Sequence, residues 1–448
     1  MRFSQRSLCS LWHSDLELTL KLLPDFLCYN KRVNIADLIE KSLDNSQLDL
    51  IRRVADESSA LGYPLYLVGG SVRDLMLGRP IVDVDLALEG DAIKLARALV
   101  KKHGGELIAH EKFHTATWTF DNPVSNFKSL DFASARKETY SHPGALPTVT
   151  VSTIEDDLRR RDFTINAMAI RLDRSHFGEV LDPLSGKMDL EARLIRVLHA
   201  KSFVDDPTRI FRAVRYAARY GFEIEPETLA LVNSESLAVL RGLSGDRLRH
   251  EFDLIFEENE FPSMFVRLTK LGVLDAIGAP GFDSVYASLL DEIPDPALGL
   301  PYDRVALGYL LWLTDTTPAT IKYLSDRLRL TAELTDILLS ASALKQMLPN
   351  LHNQKPSAWT FAIDKMPLTS IYGVYLITRE GPLLEYLSTW RHVKPHVNGD
   401  DLKARGLEPG PKFKEILTRL RAAWLDGEVK NEEEELQLLG TRLSTEKS

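Results

Sequence analysis

Apolar positions recur along this chain at strand and helix periods, and the balance between the two changes near residue 190. Leu48, Ile51, Val54 and Ala55 share one face of a helix predicted over 48–60. Leu65-Tyr66-Leu67-Val68 is a short apolar run that predicts a strand stopping at Gly69-Gly70. Ser71 is placed to cap a helix over 72–77, with Gly78 closing it. Alternation over 82–88 predicts a second strand, and a helix is expected over 91–103. Further strands are expected at 106–109, 115–120 and 130–135. From about 191 onward the periodicity is almost entirely helical, from a segment at 206–221 to one at 430–440. Clusters of Pro and Gly at 278–302, 347–356 and 393–411 mark the joints. The expectation is a mixed α/β portion to about 190 and an all-α remainder.

Length and charge narrow the picture. A chain of 448 residues is long enough for two or three domains. It carries 55 basic and 64 acidic side chains, a net charge of -9. That excludes a diffusely basic nucleic-acid binder and leaves room for a local basic site. No run of about 18 apolar residues occurs, so no membrane span is expected. The two cysteines, Cys9 and Cys28, build no disulfide framework and no zinc site, and a reducing, cytoplasmic setting follows as the default. The eleven histidines show no metal spacing, and no His-Asp dipeptide occurs. Residues 1–46 differ from the rest, with Arg2 and Arg6 among serines and no acid before Asp15. That composition has a faint transit-peptide flavour, but no apolar secretion core is present and the segment reads as an ordinary N-terminal extension.

Three stretches carry chemistry. In Val82-Asp83-Val84-Asp85-Leu86 the apolar residues point to one face of a strand and Asp83 and Asp85 to the other. Two such carboxylates repel unless a cation sits between them, and Mg²⁺ suits oxygen ligands. The pair alone is also compatible with a solvent-facing edge strand. Thirteen residues upstream, Gly69-Gly70-Ser71 lies between a strand and a helix, where the backbone can approach a phosphate. Arg73 and Asp74 follow in the first turn. Asp131, in an alternating Leu130-Asp131-Phe132, is a candidate third acid for two-metal chemistry.

The second stretch, Asp156 to Ala169, places Arg159, Arg160, Arg161 and Asp162 before Phe163, Ile165, Ala167 and Ala169, which alternate as a strand would. Arginine forks and Asn166 beside such a strand suit triphosphate and ribose. The third, Asp205-Asp206-Pro207-Thr208-Arg209, starts a helix for which Asp206 is the natural N-cap. Arg209, Arg212, Arg215 and Arg219 fall within about 120° of one another on it. They form either a solvated face or an anion-binding one.

Taken in order, Leu67-Val68-Gly69-Gly70-Ser71-Val72-Arg73-Asp74 with Asp83-Val84-Asp85, then Arg160-Arg161-Asp162-Phe163-Thr164-Ile165-Asn166-Ala167, then Asp205-Asp206-Pro207-Thr208-Arg209 resemble the class II tRNA nucleotidyltransferases and the bacterial poly(A) polymerases. The resemblance is strong over 62–275 and weaker to 440. It implies an α+β fold, a polymerase-β-like nucleotidyltransferase head followed by all-α neck, body and tail. The boundaries expected are 47–190, 191–258, 259–348 and 349–448. It also implies addition of CCA to the 3′ end of tRNA from CTP and ATP, without a nucleic-acid template. Asp83 and Asp85 would bind Mg²⁺, with Asp131 a further catalytic acid. Gly69, Gly70 and Arg73 would meet the triphosphate. Arg161, Asp162 and Asn166 would serve sugar and phosphates. Asp206 and Arg209 would read the base edge, with Arg212 and Arg215 nearby. The family more often has Glu where this chain has Asp205.

Base reading also follows from chemistry. A carboxylate accepts from the amino group of cytosine or adenine, whereas uracil O4 and guanine O6 would present it another acceptor. Three rival readings stay open. A poly(A) polymerase is disfavoured by Glu432-Glu433-Glu434-Glu435 near the C-terminus and by Glu111-Lys112-Phe113-His114 between the first two motifs. A partial enzyme that adds only CC is disfavoured by a long loop expected over 136–153, and A-only addition stays open. A non-catalytic RNA-binding protein is disfavoured by the intact Asp83 and Asp85.

Overall fold

The computed structural model of the chain describes residues 35–81 and 84–445, so Asp83 lies outside the described residues. The chain divides into two compact units. The first contains the described part of Met1–Thr139 together with Pro147–Ala192 and Arg196–Leu198. The second contains Tyr140–Leu146, Arg193–Ile195 and the described part of His199–Ser448.

The first unit is built on a mixed sheet. Its strands are β1 (Leu65–Val68), β2 (Asp85–Leu88), β3 (Glu106–His110), β4 (Thr115–Val124) and β5 (Phe127–Ser134), with β8 (Ala169–Arg171) and β9 (Val180–Leu181). A separate hairpin pairs β6 (Arg136–Thr139) with β7 (Thr148–Val151). The sheet order is β3-β4-β5-β2-β1-β8-β9, and among the described residues only its neighbours β2 and β5 run parallel. All four residues of β1 are buried, which is why that run is uniformly apolar: it is central, flanked by β2 and β8. Helix Asn45–Ala60 buries Leu48, Ile51, Val54 and Ala55 as its period predicts. Asp44 and Gln47 form its capping box. Asp91 caps Ala92–His103 through the Lys94 N–H. Tyr66, Val68, Ala87 and Ala169 of the sheet pack against Ile154 and Leu158 of a short helix, Ile154–Arg159.

Three local expectations are corrected. Ser71 does not cap the helix after Gly69-Gly70. That helix spans Gly70–Met76, so Ser71 lies inside its first turn and its hydroxyl accepts the Asp85 backbone N–H at 3.2 Å. Residues 163–169 do not form a strand. Thr164–Asn166 is a 3₁₀ turn, and the strand starts only at Ala169. Every residue from Asp162 to Ile170 is buried, so the alternation reported no facing. The Thr164 hydroxyl bonds Asp189 at 2.6 Å and fixes the turn. Finally, 136–153 is not an open loop, because β6 and β7 zip its two ends and leave only 140–147 at the tip.

The second unit is largely helical. One two-residue parallel pair interrupts it, β10 (Leu194–Ile195) with β11 (Glu223–Ile224). Phe252, Phe256, Phe265, Tyr309 and Trp312 cluster in its core, with the Phe252 and Trp312 rings 4.8 Å apart. Helix Pro356–Ile363 follows directly on the Pro-rich joint at 347–356, and the preceding helix Ala332–Leu351 runs through Pro349. No helix among the described residues is long and apolar enough to cross a membrane.

Candidate active site

Asp85 opens β2 and is its one exposed residue. The parallel register sets it directly opposite Asp131 on β5. Neighbouring strands lie about 4.8 Å apart, so two carboxylates share one side of the sheet at close range. The Ser71 hydroxyl holds the Asp85 backbone, and the Thr117 hydroxyl on β4 donates to Asp131. Both acids, with Val68, Thr115, Thr117 and Arg161, line a cleft of about 360 Å³. The parallel pairing was not legible in the sequence. It is what turns two separate acids into a pair.

The donor set fits a hard divalent cation, being carboxylate oxygen with hydroxyls alongside. Asp85 and Asp131 are two candidate ligands. Asp83, the other expected one, precedes Asp85 by two positions and lies outside the described residues. Among the described residues, no three His, Cys, Asp or Glu side chains come together as a metal cluster.

Beside the acids, an arginine network is locked in place. Gly69 adopts φ +67°, and a Cβ there would stand 2.3 Å from Arg161 Nη1. Arg161 donates to Asp157 Oδ2 at 2.9 Å, and Arg160 donates to Asp157 Oδ1 at 2.7 Å. Asp157 is fully buried. Burial works against its charge, but the Arg161 and Arg160 guanidiniums outweigh this and hold its carboxyl below the usual range. Arg73 is buried too, donating to Asn166 Oδ1 at 2.6 Å and to both oxygens of Asp74 at 3.0 Å. Asn166 in turn donates to Asp162 Oδ1 at 2.9 Å. Gly69, Arg73, Arg161, Asp162 and Asn166 thus belong to one connected patch. Sequence reasoning did not single out Asp157. Its spacing of three and four residues before Arg160 and Arg161 on a helix was the available signal.

The remaining candidates belong to the second unit. Asp206 is extended (φ −139°) and Pro207 already helical (φ −66°), at the start of helix Thr208–Tyr220. The Asp206 carboxylate accepts from the Thr208 N–H at 3.0 Å, the cap chemistry expected. It also accepts from the Thr208 hydroxyl at 2.6 Å and from Arg247 Nη2 at 2.7 Å. Arg209 is buried and donates to Ser202 Oγ at 2.8 Å. Arg212 lies over the Tyr216 ring, 5.7 Å from its centroid. Arg215 is buried and donates to Glu251 at 3.0 Å, and Arg219 pairs with Glu258. Both glutamates come from a single stretch, the helix Gly245–Phe256 and the residues just after it. Intramolecular acids therefore account for part of the arginine face. The helical period could not show them, because they lie more than thirty positions away in sequence.

Comparison with known proteins gives this architecture a family. Residues 65–196 match the family model described as the poly A polymerase head domain, and 221–285 match the probable RNA and SrmB-binding site of polymerase A. The chain is 35% identical over 415 residues to the A-adding tRNA nucleotidyltransferase of Halalkalibacterium halodurans, covering 90% of this chain and 94% of the relative. A solved CCA-adding enzyme in an apo form aligns with TM-score 0.78 and 31% identity, over 91% of this chain and 99% of its own. The Thermotoga maritima CCA-adding enzyme complexed with tRNA aligns with TM-score 0.70 and 28% identity, over 92% and 98%. The chain belongs to the class II tRNA nucleotidyltransferase and poly(A) polymerase family.

Proposed function

We propose that this protein transfers CMP and AMP from CTP and ATP to the 3′ end of tRNA, building its CCA terminus. The observation that carries this reading is the registered pair Asp85 and Asp131, in one cleft with Arg161 and beside the Gly69-Gly70 turn. A catalytic head (47–190), neck (191–258), body (259–348) and tail (349–448) are part of the proposal. Asp83, Asp85 and Asp131 would hold Mg²⁺, which supplies Lewis-acid stabilisation of the reacting oxygens. Gly69 and Gly70 meet the triphosphate at the turn while leaving room for Arg161 and Arg73, whose guanidiniums supply donors for its oxygens. Asp162 and Asn166 serve the sugar. Asp206 and Arg209 read the amino-bearing edge of cytosine or adenine, with Arg212 and Arg215 supporting them. The RNA 3′-hydroxyl gives up its proton to solvent and attacks the α-phosphorus, one P–O bond forms, and pyrophosphate leaves with the electrons of the bond that breaks.

A second reading, A-only addition, is favoured by one observation. The A-adding relative is 35% identical to this chain, whereas the CCA-adding enzyme of Lacticaseibacillus paracasei is 27% identical. Both readings share the last step, AMP onto tRNA ending in CC. The deciding experiment incubates the protein with tRNA ending at the discriminator base, after one C, or after two, with CTP or ATP supplied singly. Full CCA addition requires CMP incorporation on the first two substrates. AMP incorporation on the third alone selects A-only addition, and no incorporation on any overturns both readings.

A further inference from the structure

We infer that Arg247 and Thr208 are positioning residues for base selection, holding one oxygen of the Asp206 carboxylate so that the other is presented to the exocyclic amino group of the incoming base. The inference rests on the proposed role of Asp206 and deepens it.

The geometry is one-sided. Three donors converge on Asp206 Oδ1: the Thr208 N–H at 3.0 Å, the Thr208 hydroxyl at 2.6 Å and Arg247 Nη2 at 2.7 Å. No described residue donates to Oδ2. The terminal torsion of an aspartate is broad and roughly two-fold, so an unheld carboxylate exchanges its oxygens freely. Three donors on one oxygen remove that freedom. They leave an acceptor of fixed direction on a side chain that keeps about a quarter of its surface in solvent.

Arg247 reaches beyond the carboxylate. Its other arm, Nη1, donates to the Gly144 carbonyl at 2.7 Å. Gly144 takes φ +72°, and its N–H bonds the carbonyls of Val204 and Asp205, the two residues before Asp206. One planar guanidinium therefore spans the tip segment 140–146 and the carboxylate, both within the second unit. A lysine in that place has the charge but no fork, and could not hold both acceptors in the same plane.

Selectivity depends on this fixing. A fixed acceptor rewards an amino group and penalises a carbonyl at the same place, leaving the latter complex with two opposed acceptors. A carboxylate free to turn, or bridged by water, loses part of that penalty. The structure thus assigns Arg247 and Thr208 to discrimination through Asp206, without contact to the base.

The test uses the full chain and the step common to both readings, tRNA ending in CC with ATP or GTP, in Arg247→Gln, Arg247→Lys, Thr208→Val, Thr208→Ser and Asp206→Asn. The GTP/ATP ratio of kcat/KM should rise on the order of tenfold in Arg247→Gln and in Thr208→Val, each having lost one hydrogen bond to Oδ1. The loss should appear as a raised KM for ATP. Thr208→Ser should restore the wild-type ratio, and Arg247→Lys should not. Thermal melting identifies any variant that fails to fold, and the near-isosteric Thr208→Val keeps the test alive if Arg247→Gln does not fold. Wild-type selectivity in folded Thr208→Val and Arg247→Gln, with Asp206→Asn relaxed, would overturn the inference while leaving the base-reading role standing. Wild-type selectivity in Asp206→Asn as well would overturn both.

Discussion

Gly69 is constrained twice, by a positive φ and by the Arg161 guanidinium in the space a side chain would take. The acids it neighbours lend themselves to removal one at a time. Asp85→Ala should reduce incorporation to background, a loss of at least about a thousandfold, while tRNA binding measured by filter retention stays near wild type. Substantial turnover would remove Asp85 from the proposed chemistry. Asp157 behaves differently, because its role is to hold Arg160 and Arg161. Asp157→Ala leaves two guanidiniums facing an emptied buried site and should cost about 3–5 kcal/mol at neutral pH by denaturant titration. The pH dependence has a definite sign. The folded carboxyl lies below its ordinary 3.8, so its stabilising contribution is complete above that value and is lost as pH falls through the folded one. The gap between wild type and Asp157→Ala should therefore narrow only below about pH 3.8. Alternation made Asp85 and Asp131 legible in the sequence, since a strand puts every second residue on one face. Ser71 was misread, because capping residues and first-turn residues look alike until the helix start is known.

At the scale of elements, segments with an apolar run or period were readable, down to the four-residue β1, and segments without one were not. The helices Asn45–Ala60, Ala92–His103 and Thr208–Tyr220 fall where helices are expected over 48–60, 91–103 and 206–221. The turn Thr164–Asn166 escaped because all its residues are buried and period 2 has no meaning without a solvent side. The β6–β7 hairpin escaped for another reason: β6 is wholly polar, and the alternation of β7 carries only two valines, too short a face to announce the pair. It narrows the loop expected over 136–153 to the tip. Replacing 141–146 by a short Gly-Ser link should keep the hairpin and remove the Gly144 contacts to Val204, Asp205 and Arg247. AMP addition should then fall on the order of tenfold more than CMP addition, measured on matched tRNA substrates, because the larger purine demands more rearrangement around Asp206. Equal losses would make the tip a support for the fold.

Across the whole molecule, a net charge of -9 means that RNA must be held by local basic surface. Segment 191–250 carries nine arginines and one lysine against eight acids, but Arg215, Arg219 and Arg247 are already paired within the second unit. Lys412 and Lys414 are both exposed in the first turn of helix Pro411–Leu425, where an RNA phosphate can reach them, and they are the candidates for that contact. Reversing both to Glu should weaken tRNA affinity at low salt and lower the log K against log[salt] slope by about 2, with nucleotide choice unchanged. An unchanged salt titration would place the RNA path elsewhere. The change of periodicity near 190 was visible in sequence, but the boundary it suggests is not a clean cut. Val197 bridges Phe163, and the Arg196 carbonyl accepts the Thr164 N–H, inside the first unit. Leu194 and Ile195 pair with β11, and 140–146 belongs with the helices after His199, inside the second. On the ribosome, then, the first unit cannot complete its hydrogen bonding until the chain has passed Val197, and the second must draw on residues translated long before its own helices. A gene fusion or truncation joined at residue 192 would part Val197 from Phe163 and 140–146 from the rest of the second unit, so the two halves are poor candidates for modular exchange even though the sequence looks divisible there.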